Sequence, residues 1–283
     1  MGTALVTGCS TGIGFATALR LAEDGWDVAA TMRQPDRDGG PLREAAAAAG
    51  LNLRLVALDV TDAISVAHAF EEAGELEVLV NNAGIMWFGS VEETDLDRWQ
   101  ELFNTNIFGA VRCIRAALPL LRARGGGCIV NVSSAAGPVA MPAVGAYGAS
   151  KAALESVSEV VAIEGRAHGI RVVIIETGAT ATPISGKLQP PNRGTPYWGA
   201  MRNTMTLLAG VSPFSPPAVI AEAIAGAVRD PATPFRLAVG QGSSELILAR
   251  SHMNDDEWIA AAGGTTDNFV ERFRDTTGVN LRG

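Results

Sequence analysis

Short apolar runs alternate with helix-like stretches along most of the chain, and this alternation constrains the fold more than any other feature. The runs are Ala4–Val6, Val28–Thr31, Leu53–Leu58, Val78–Val80, Cys128–Val132, Arg171–Ile175 and Phe235–Val239. Between them, apolar residues recur at helical spacing from about Gly12 to Asp24, Leu42 to Ala49, Ile64 to Glu72, Leu96 to Leu121, Tyr147 to His168 and Ala218 to Val228. Largely apolar strands belong in a parallel sheet with helices on both faces. The expectation is an α/β fold: one doubly wound, Rossmann-type domain over residues 1–283, with a parallel sheet of about seven strands.

A chain of 283 residues suits one large α/β domain better than two average ones. Its net charge of −8 argues against nucleic acid as a partner, because phosphate binding needs clustered Lys and Arg. Cys9, Cys113 and Cys128 are too scattered for a disulfide framework or zinc spacing, and a reducing, cytoplasmic setting is expected. A strand beginning almost at the initiator Met leaves no room for a signal peptide, and no apolar stretch is long enough to span a membrane. His68, His168 and His252 lack ligand spacing, so no metal is expected; Asp255, Asp256 and Glu257 read as a solvated helix start.

The composition shifts near residue 185. Pro190, Pro191, Pro196, Pro213, Pro216 and Pro217 interrupt regular structure, with Tyr197, Trp198, Met201 and Met205 among them. Residues 185–217 are expected to form an insertion, either a substrate loop over the sheet's carboxyl edge or a surface excursion capping the core. Residues 241–283 form a C-terminal extension with a helical pattern at Asp255–Ala262, capped by Asn254 or Asp255.

The first strand runs directly into Thr7-Gly8-Cys9-Ser10-Thr11-Gly12-Ile13-Gly14 and then a helix. Gly8 permits a tight turn, Gly12 lets a pyrophosphate approach the helix N-terminus, and Gly14 lets strand and helix pack closely. The spacing differs from the usual G-x-G-x-x-G, yet strand, loop and helix stand in the order a dinucleotide site requires. The second strand ends at Arg33, where an acid would hold a ribose 2′-hydroxyl. An arginine there suits a 2′-phosphate, or simply opens a loop, so NADP(H) is expected ahead of NAD(H). Asp59, beside Val60, accepts from an adenine amino group or caps the next helix. Asn82, Ala83 and Gly84 let a ribose lie against the backbone, and the amides tie neighbouring strands together.

Tyr147 and Lys151 lie four residues apart, one turn along a helix face. An ammonium beside a phenol favours the phenolate, lowering its pKa toward the range useful for proton transfer. Alone, such a pair is common on amphipathic helices.

Together, Thr7–Gly14, Asn81–Gly84, Asn106, Val132-Ser133-Ser134 and Tyr147 with Lys151 resemble the short-chain dehydrogenase/reductase family over roughly residues 3–185. Gly8–Gly12, Ala30–Arg33 and Ile175–Gly178 look most like its 17β-hydroxysteroid and retinol dehydrogenase branch. The resemblance implies that Tyr147 is the general acid or base and that Lys151 lowers its pKa and binds the nicotinamide ribose. It implies that Ser134, rather than Ser133, hydrogen-bonds the substrate oxygen, and that Asn106 holds a water linking Lys151 to solvent. It further implies cofactor contacts from Gly8, Ser10, Thr11, Gly12, Ile13, Gly14, Arg33, Asp59, Val60, Asn82, Ala83, Gly84, Thr177, Gly178, Thr180 and Thr182.

Two departures stand out. Thr177 replaces the family's usual proline before Gly178, which is expected to loosen that turn because proline fixes φ. Thr11 replaces the basic residue that often precedes the second glycine in NADP-preferring members, leaving Arg33 to carry the phosphate preference. The implied activity is hydride transfer between NADP(H) and a small hydrophobic ketone or secondary alcohol, with Met86, Trp87, Phe88, Met141, Val144, Tyr197, Trp198 and Met201 on the substrate side. An NAD-preferring alcohol dehydrogenase and a non-catalytic dinucleotide sensor are the alternatives. Homo-oligomers are expected from pairing of the long helices over Leu96–Leu121 and Tyr147–His168.

Overall fold

In a computed structural model of the chain, residues 2–183, 193–279 and 281 are described. All seven expected strands are present: β1 (Thr3–Val6), β2 (Asp27–Met32), β3 (Arg54–Ala57), β4 (Leu76–Asn81), β5 (Gly127–Ser134), β6 (Ile170–Thr177) and β7 (Arg236–Val239). They form one parallel sheet in the order β3-β2-β1-β4-β5-β6-β7. The order reverses between β1 and β4. That opens a crevice beyond the strands' carboxyl ends, the place where such sheets bind ligands.

Helices cover both faces. α1 (Gly12–Glu23) and α8 (Pro217–Arg229) pack on one face through Ala18, Leu21, Ile220 and Ile224. α3 (Ala63–Ala73), α5 (Ala110–Arg124) and α6 (Gly145–Gly165) cover the other through Val66, Phe70, Cys113, Ile114, Leu121 and Val161. α2 (Gly40–Ala48) flanks the β2–β3 end, with Leu42 fully buried. The central strands are buried on both faces, which explains their lack of polar alternation.

The sequence suggests one helix over Leu96–Leu121, but three segments occupy that range. α4 (Leu96–Phe103) leads into a π-helical stretch at Asn104–Gly109, and α5 follows. The wider π turn places Asn106 inward, 1% exposed, within a pattern that otherwise reads as a continuous helix.

The region after residue 185 also differs from its sequence reading. Pro190 and Pro191 lie outside the described residues. Beyond them, α7 (Trp198–Gly210) is a regular helix between Pro196 and Pro213. The extension holds α9 (Ser243–Ser251), α10 (Asp255–Ala262) and α11 (Thr266–Thr277). Asn254 caps α10 in a capping box with Glu257, as the sequence suggests. These helices build a separate apolar cluster around Leu207, Leu246, Trp258, Phe269 and Phe273, packed onto Ala135 and Val139 of the loop after β5.

Candidate active site

The glycine loop closes the β1–β4 crevice by hydrogen bonding centred on Thr7. Its hydroxyl accepts from the backbone N–H groups of Asn82 and Ala83, both at 2.9 Å. Asn82 Nδ2 donates to the Thr7 carbonyl at 2.8 Å and the Gly8 carbonyl at 3.2 Å. The loops after β1 and β4 are thus one unit, and the Asn82 amide ties neighbouring strands. Gly8 has φ +76°, which glycine adopts without strain. At Gly14 a Cβ would sit 2.3 Å from the Gly8 carbonyl oxygen, so only glycine allows α1 to start this close to the loop.

A cleft of about 530 Å³ runs from this loop across the strand ends. Of the expected residues, Gly8, Ser10, Thr11, Gly12, Ile13, Arg33, Asp59, Val60, Asn82, Ala83, Gly84, Tyr147, Lys151, Thr177 and Thr182 line it. Gly14, Asn106, Ser134, Gly178 and Thr180 do not. Gly14 is a packing position. Thr180 turns its hydroxyl onto the Gly178 carbonyl at 3.1 Å. Asp59 forms a local turn, its Oδ1 accepting from the Thr61 N–H and hydroxyl, while Asp62 caps α3. Arg33 is exposed at the cleft's end, and Asp38, also at the cleft, is paired bidentately with Arg37.

The proton-transfer candidates meet where β5 and α6 approach each other. Tyr147 is hydrogen-bonded to Ser134. Lys151 is 5% exposed, and its Nζ donates to the Val132 carbonyl at 2.9 Å while standing 5.8 Å from the centre of the Tyr147 ring. Asn106 Nδ2 donates to the Ile85 carbonyl at 2.9 Å and Ser150 Oγ at 3.0 Å, and its Oδ1 accepts from the Ile85 N–H at 2.8 Å. Both amide hydrogens are therefore committed to fastening the β4 loop to α6. Ser150 in turn donates to the Tyr147 carbonyl at 2.7 Å, so the π-helical turn, the β4 loop and α6 are locked together.

The electrostatics depart from the simple expectation for Tyr147. Burial pushes its phenol above its ordinary value, with the Ser134 hydrogen bond pulling the other way. Desolvation of the phenolate outweighs that hydrogen bond, so the hydroxyl stays protonated at neutral pH. Burial lowers Lys151 to about 8, partly countered by Glu155.

Two hydrogen bonds hold the turn at Thr177. The Thr177 hydroxyl donates to the Ser133 carbonyl at 3.0 Å, and the Gly178 N–H donates to Val239 at 2.8 Å. A hydrogen bond to the neighbouring strand supplies the restraint that a proline ring would give.

A second cavity of about 430 Å³ is lined in part by Met141, Ala143, Tyr197 and Met201. Met86 reaches the larger cleft. Ala143 has φ +70°, an uncommon conformation for a residue with a Cβ, and is 4% exposed. It is held there by the bond from the Gly89 N–H to its carbonyl at 2.8 Å. No sequence signal marks Ala143. Tyr197 donates to Glu92 and Thr195 to Glu93, the latter at 2.8 Å, so the entry to α7 is fastened to the loop after β4. Among the described residues, no cluster of His, Cys, Asp and Glu is arranged to hold a metal, and no helix is long and apolar enough to cross a membrane.

Known proteins resemble this chain in sequence and fold. Retinol dehydrogenase 8 of Bos taurus is 39% identical over 191 residues, which are 66% of this chain and 61% of that protein. The chain thus spans about three fifths of that relative's length. A short-chain dehydrogenase from Streptomyces avermitilis superposes with TM-score 0.78 at 34% identity, covering 89% of this chain and 93% of the other. An alcohol dehydrogenase from Thermococcus sibiricus, complexed with 5-hydroxy-NADP, superposes with TM-score 0.70 at 26% identity, covering 85% and 96%. The family model for short chain dehydrogenase matches residues 2–193, which hold the glycine loop, Ser134, Tyr147 and Lys151; the chain belongs to that family of oxidoreductases.

Proposed function

We propose that the protein transfers hydride between NADP(H) and a hydrophobic ketone or secondary alcohol, with Tyr147 as the proton donor or acceptor. The observation that carries this reading is the placement of Tyr147 and Lys151 in the same cleft as the glycine loop, with Ser134 beside the Tyr147 hydroxyl. The residues present fit a dinucleotide. The α1 N-terminus and the loop's N–H groups suit a pyrophosphate. Gly84 leaves room where a Cβ would stand 3.3 Å from Asn106 Oδ1 and 3.7 Å from Lys151 Nζ. When bound, the nicotinamide supplies or accepts the hydride.

The chain's own groups handle the oxygen. Ser134 and Tyr147 direct hydrogen bonds at the position where negative charge grows as a carbonyl is reduced. Tyr147 then gives up its proton, and Lys151 stabilises the phenolate left behind. Because the phenol is raised, it is a proton donor at neutral pH, and alcohol oxidation gains rate as pH rises toward its pKa. Lys151 also suits the nicotinamide ribose.

Arg33 at the cleft's end supports the phosphate-bearing cofactor. The sulfur- and ring-lined second cavity supports an apolar substrate, as does likeness to a protein named for retinol. We treat residues 1–283 as one catalytic domain in which 185–217 serves as the substrate loop and 241–283 as its brace. Three buried, unpaired thiols support a reducing, cytoplasmic setting. Exposed Phe108, Val160 and Ile163 on the α5–α6 side support a homo-oligomer, to be tested by solution mass of a Phe108→Glu, Ile163→Glu variant. The central test is NADPH oxidation over a panel of hydrophobic ketones, with NADH in parallel. Turnover that survives in Tyr147→Phe overturns the role given to Tyr147.

A further inference from the structure

Directly below the site lies a cluster of charges. Glu155 is one helical turn beyond Lys151 on α6, and Tyr147, Lys151 and Glu155 follow one another along a single face. Glu155 is 4% exposed, and so is Glu176 near the end of β6. Arg236, on the edge strand β7, binds both: its Nη1 donates to Glu155 Oε2 and, at 3.0 Å, to Glu176 Oε1. Ser133 Oγ donates to Glu155 Oε1 at 2.6 Å, the short distance typical of a hydroxyl on an ionised carboxylate. The loop after β5 closes over the same oxygen: a Cβ at Gly137 would lie 2.1 Å from it.

The charge count is informative. Two buried carboxylates share one guanidinium, and burial pushes Glu155 above its ordinary value, so a further cation nearby favours its ionised form. Glu159 adds little, since it is 62% exposed and 3.9 Å from Arg236. Lys151, buried and bonded to the Val132 carbonyl, has the matching positive charge. Glu155 is thus bonded to Ser133 on β5 and Arg236 on β7, with Glu176 on β6 sharing that arginine, and Lys151 and Glu159 stand one helical turn away on either side along α6.

We propose that Glu155 is the counter-ion that keeps Lys151 an ammonium, within a four-charge cluster formed by Lys151, Glu155, Glu176 and Arg236. Glu155 is a positioning residue that acts through Lys151; this inference rests on the proton-transfer reading of Tyr147 and Lys151 for its consequence, but not for its test. Burial leaves Lys151 at about 8 even with Glu155 countering it, so without that carboxylate the amine would go neutral more readily and cease to stabilise a phenolate. Arg236 tunes the effect by competing with Lys151 for the same carboxylate.

The chain contains only two lysines, Lys151 and Lys187, so the titration is directly observable. Protein labelled with lysine carrying 13C at the ε-carbon gives two NMR signals, assigned with Lys187→Arg. In Glu155→Gln the Lys151 midpoint falls by about one pH unit or more, because a nearby opposite charge has gone. In Arg236→Gln it rises, because the cation bonded to Glu155 has gone and the carboxylate remains. Glu155→Asp keeps it close to the wild-type value. An unmoved midpoint in folded Glu155→Gln overturns the proposal, and so does a fall in Arg236→Gln. Because Arg236 lies on an edge strand and is 39% exposed, that variant decides the matter if Glu155→Gln does not fold. None of these readings needs turnover. An inactive protein showing both shifts defeats the proposed function but leaves the counter-ion standing.

Discussion

The cofactor side of the cleft is held by contacts made right at the strand ends: Thr7 to Asn82 and Ala83, Asn106 to Ile85, and Thr177 to Ser133. The helices from Trp198 onward are held differently. Asn203 Nδ2 donates to the carbonyls of Ala262 at 2.9 Å and Gly264 at 3.0 Å, Thr204 to Pro142 at 2.8 Å, and Trp258 Nε1 to Ala140 at 2.8 Å. All four cross long sequence separations, and those from Thr204 and Trp258 end on the loop that leads from Ser134 to Tyr147. The sheet side therefore fixes the groups proposed to react, while the C-terminal cap fixes the loop between Ser134 and Tyr147. Changes on the sheet side should alter rate or cofactor choice at constant stability; changes in the cap should alter stability and substrate affinity together.

Trp258→Ala breaks this division most forcefully. Trp258 is 4% exposed, packs edge-on to Phe269 and holds the Ala140 carbonyl. Its truncation is expected to cost about 3–5 kcal/mol in urea unfolding and to raise KM for bulky ketones more than it lowers kcat. A fall in kcat with unchanged KM would mean that the cap reaches the chemistry itself. Ser134→Ala comes next. Removing one donor to a developing oxyanion is expected to lower kcat by about 10²–10³, with a melting temperature near that of the wild type. Arg33→Ala is expected to raise the KM for NADPH about 10–100-fold and leave NADH nearly unchanged, the size of a lost charge-assisted bond. Equal effects on both cofactors would remove Arg33 from phosphate recognition.

A last prediction concerns pH. Cys9 and Cys113 are pushed up to about 12 and Cys128 to about 11 by burial, and none of the three lies in the cap. Their folded pKa values lie above the unfolded value of 9.0, so their contribution is complete below that pH and is lost as pH rises through the window from 9.0 to about 12. Each thiol then costs about 1.4 kcal/mol per pH unit in that window. Alkaline unfolding should therefore begin in the sheet, with Trp258 fluorescence lagging behind loss of the far-ultraviolet helix signal. Simultaneous loss of both signals would show that cap and sheet unfold as one unit.

Legibility in the sequence follows the same boundary. The strands were readable because both their faces are buried, and the glycine loop because its chemistry is local. Tyr147 and Lys151 were readable because helical spacing places them together whatever the rest of the fold does. α7 was hidden by its flanking prolines, although Pro196 and Pro213 lie outside its ends rather than within it. The π turn at Asn104–Gly109 carries no pattern of its own; it is maintained by Asn106 reaching Ile85 and Ser150. The rise of the Tyr147 pKa was equally invisible, because desolvation depends on what surrounds the phenol and not on its helix neighbours. Arg236 lies beyond residues 2–193, the stretch by which the family is recognised, and nothing near it in sequence points to Glu155.

Position along the chain gives Arg236 a further consequence. Protein synthesis delivers the N-terminal elements first, so β5, α6 and β6 can assemble before β7 has left the ribosome. Arg236 follows Glu176 by 60 residues. Until it arrives, two carboxylates share one sheet edge without their guanidinium, and that edge favours hydration over closure. Docking of the last strand completes the sheet and neutralises the cluster in the same event. A nascent or truncated chain can therefore display every recognisable motif of the family and still lack the electrostatic setting in which Lys151 works.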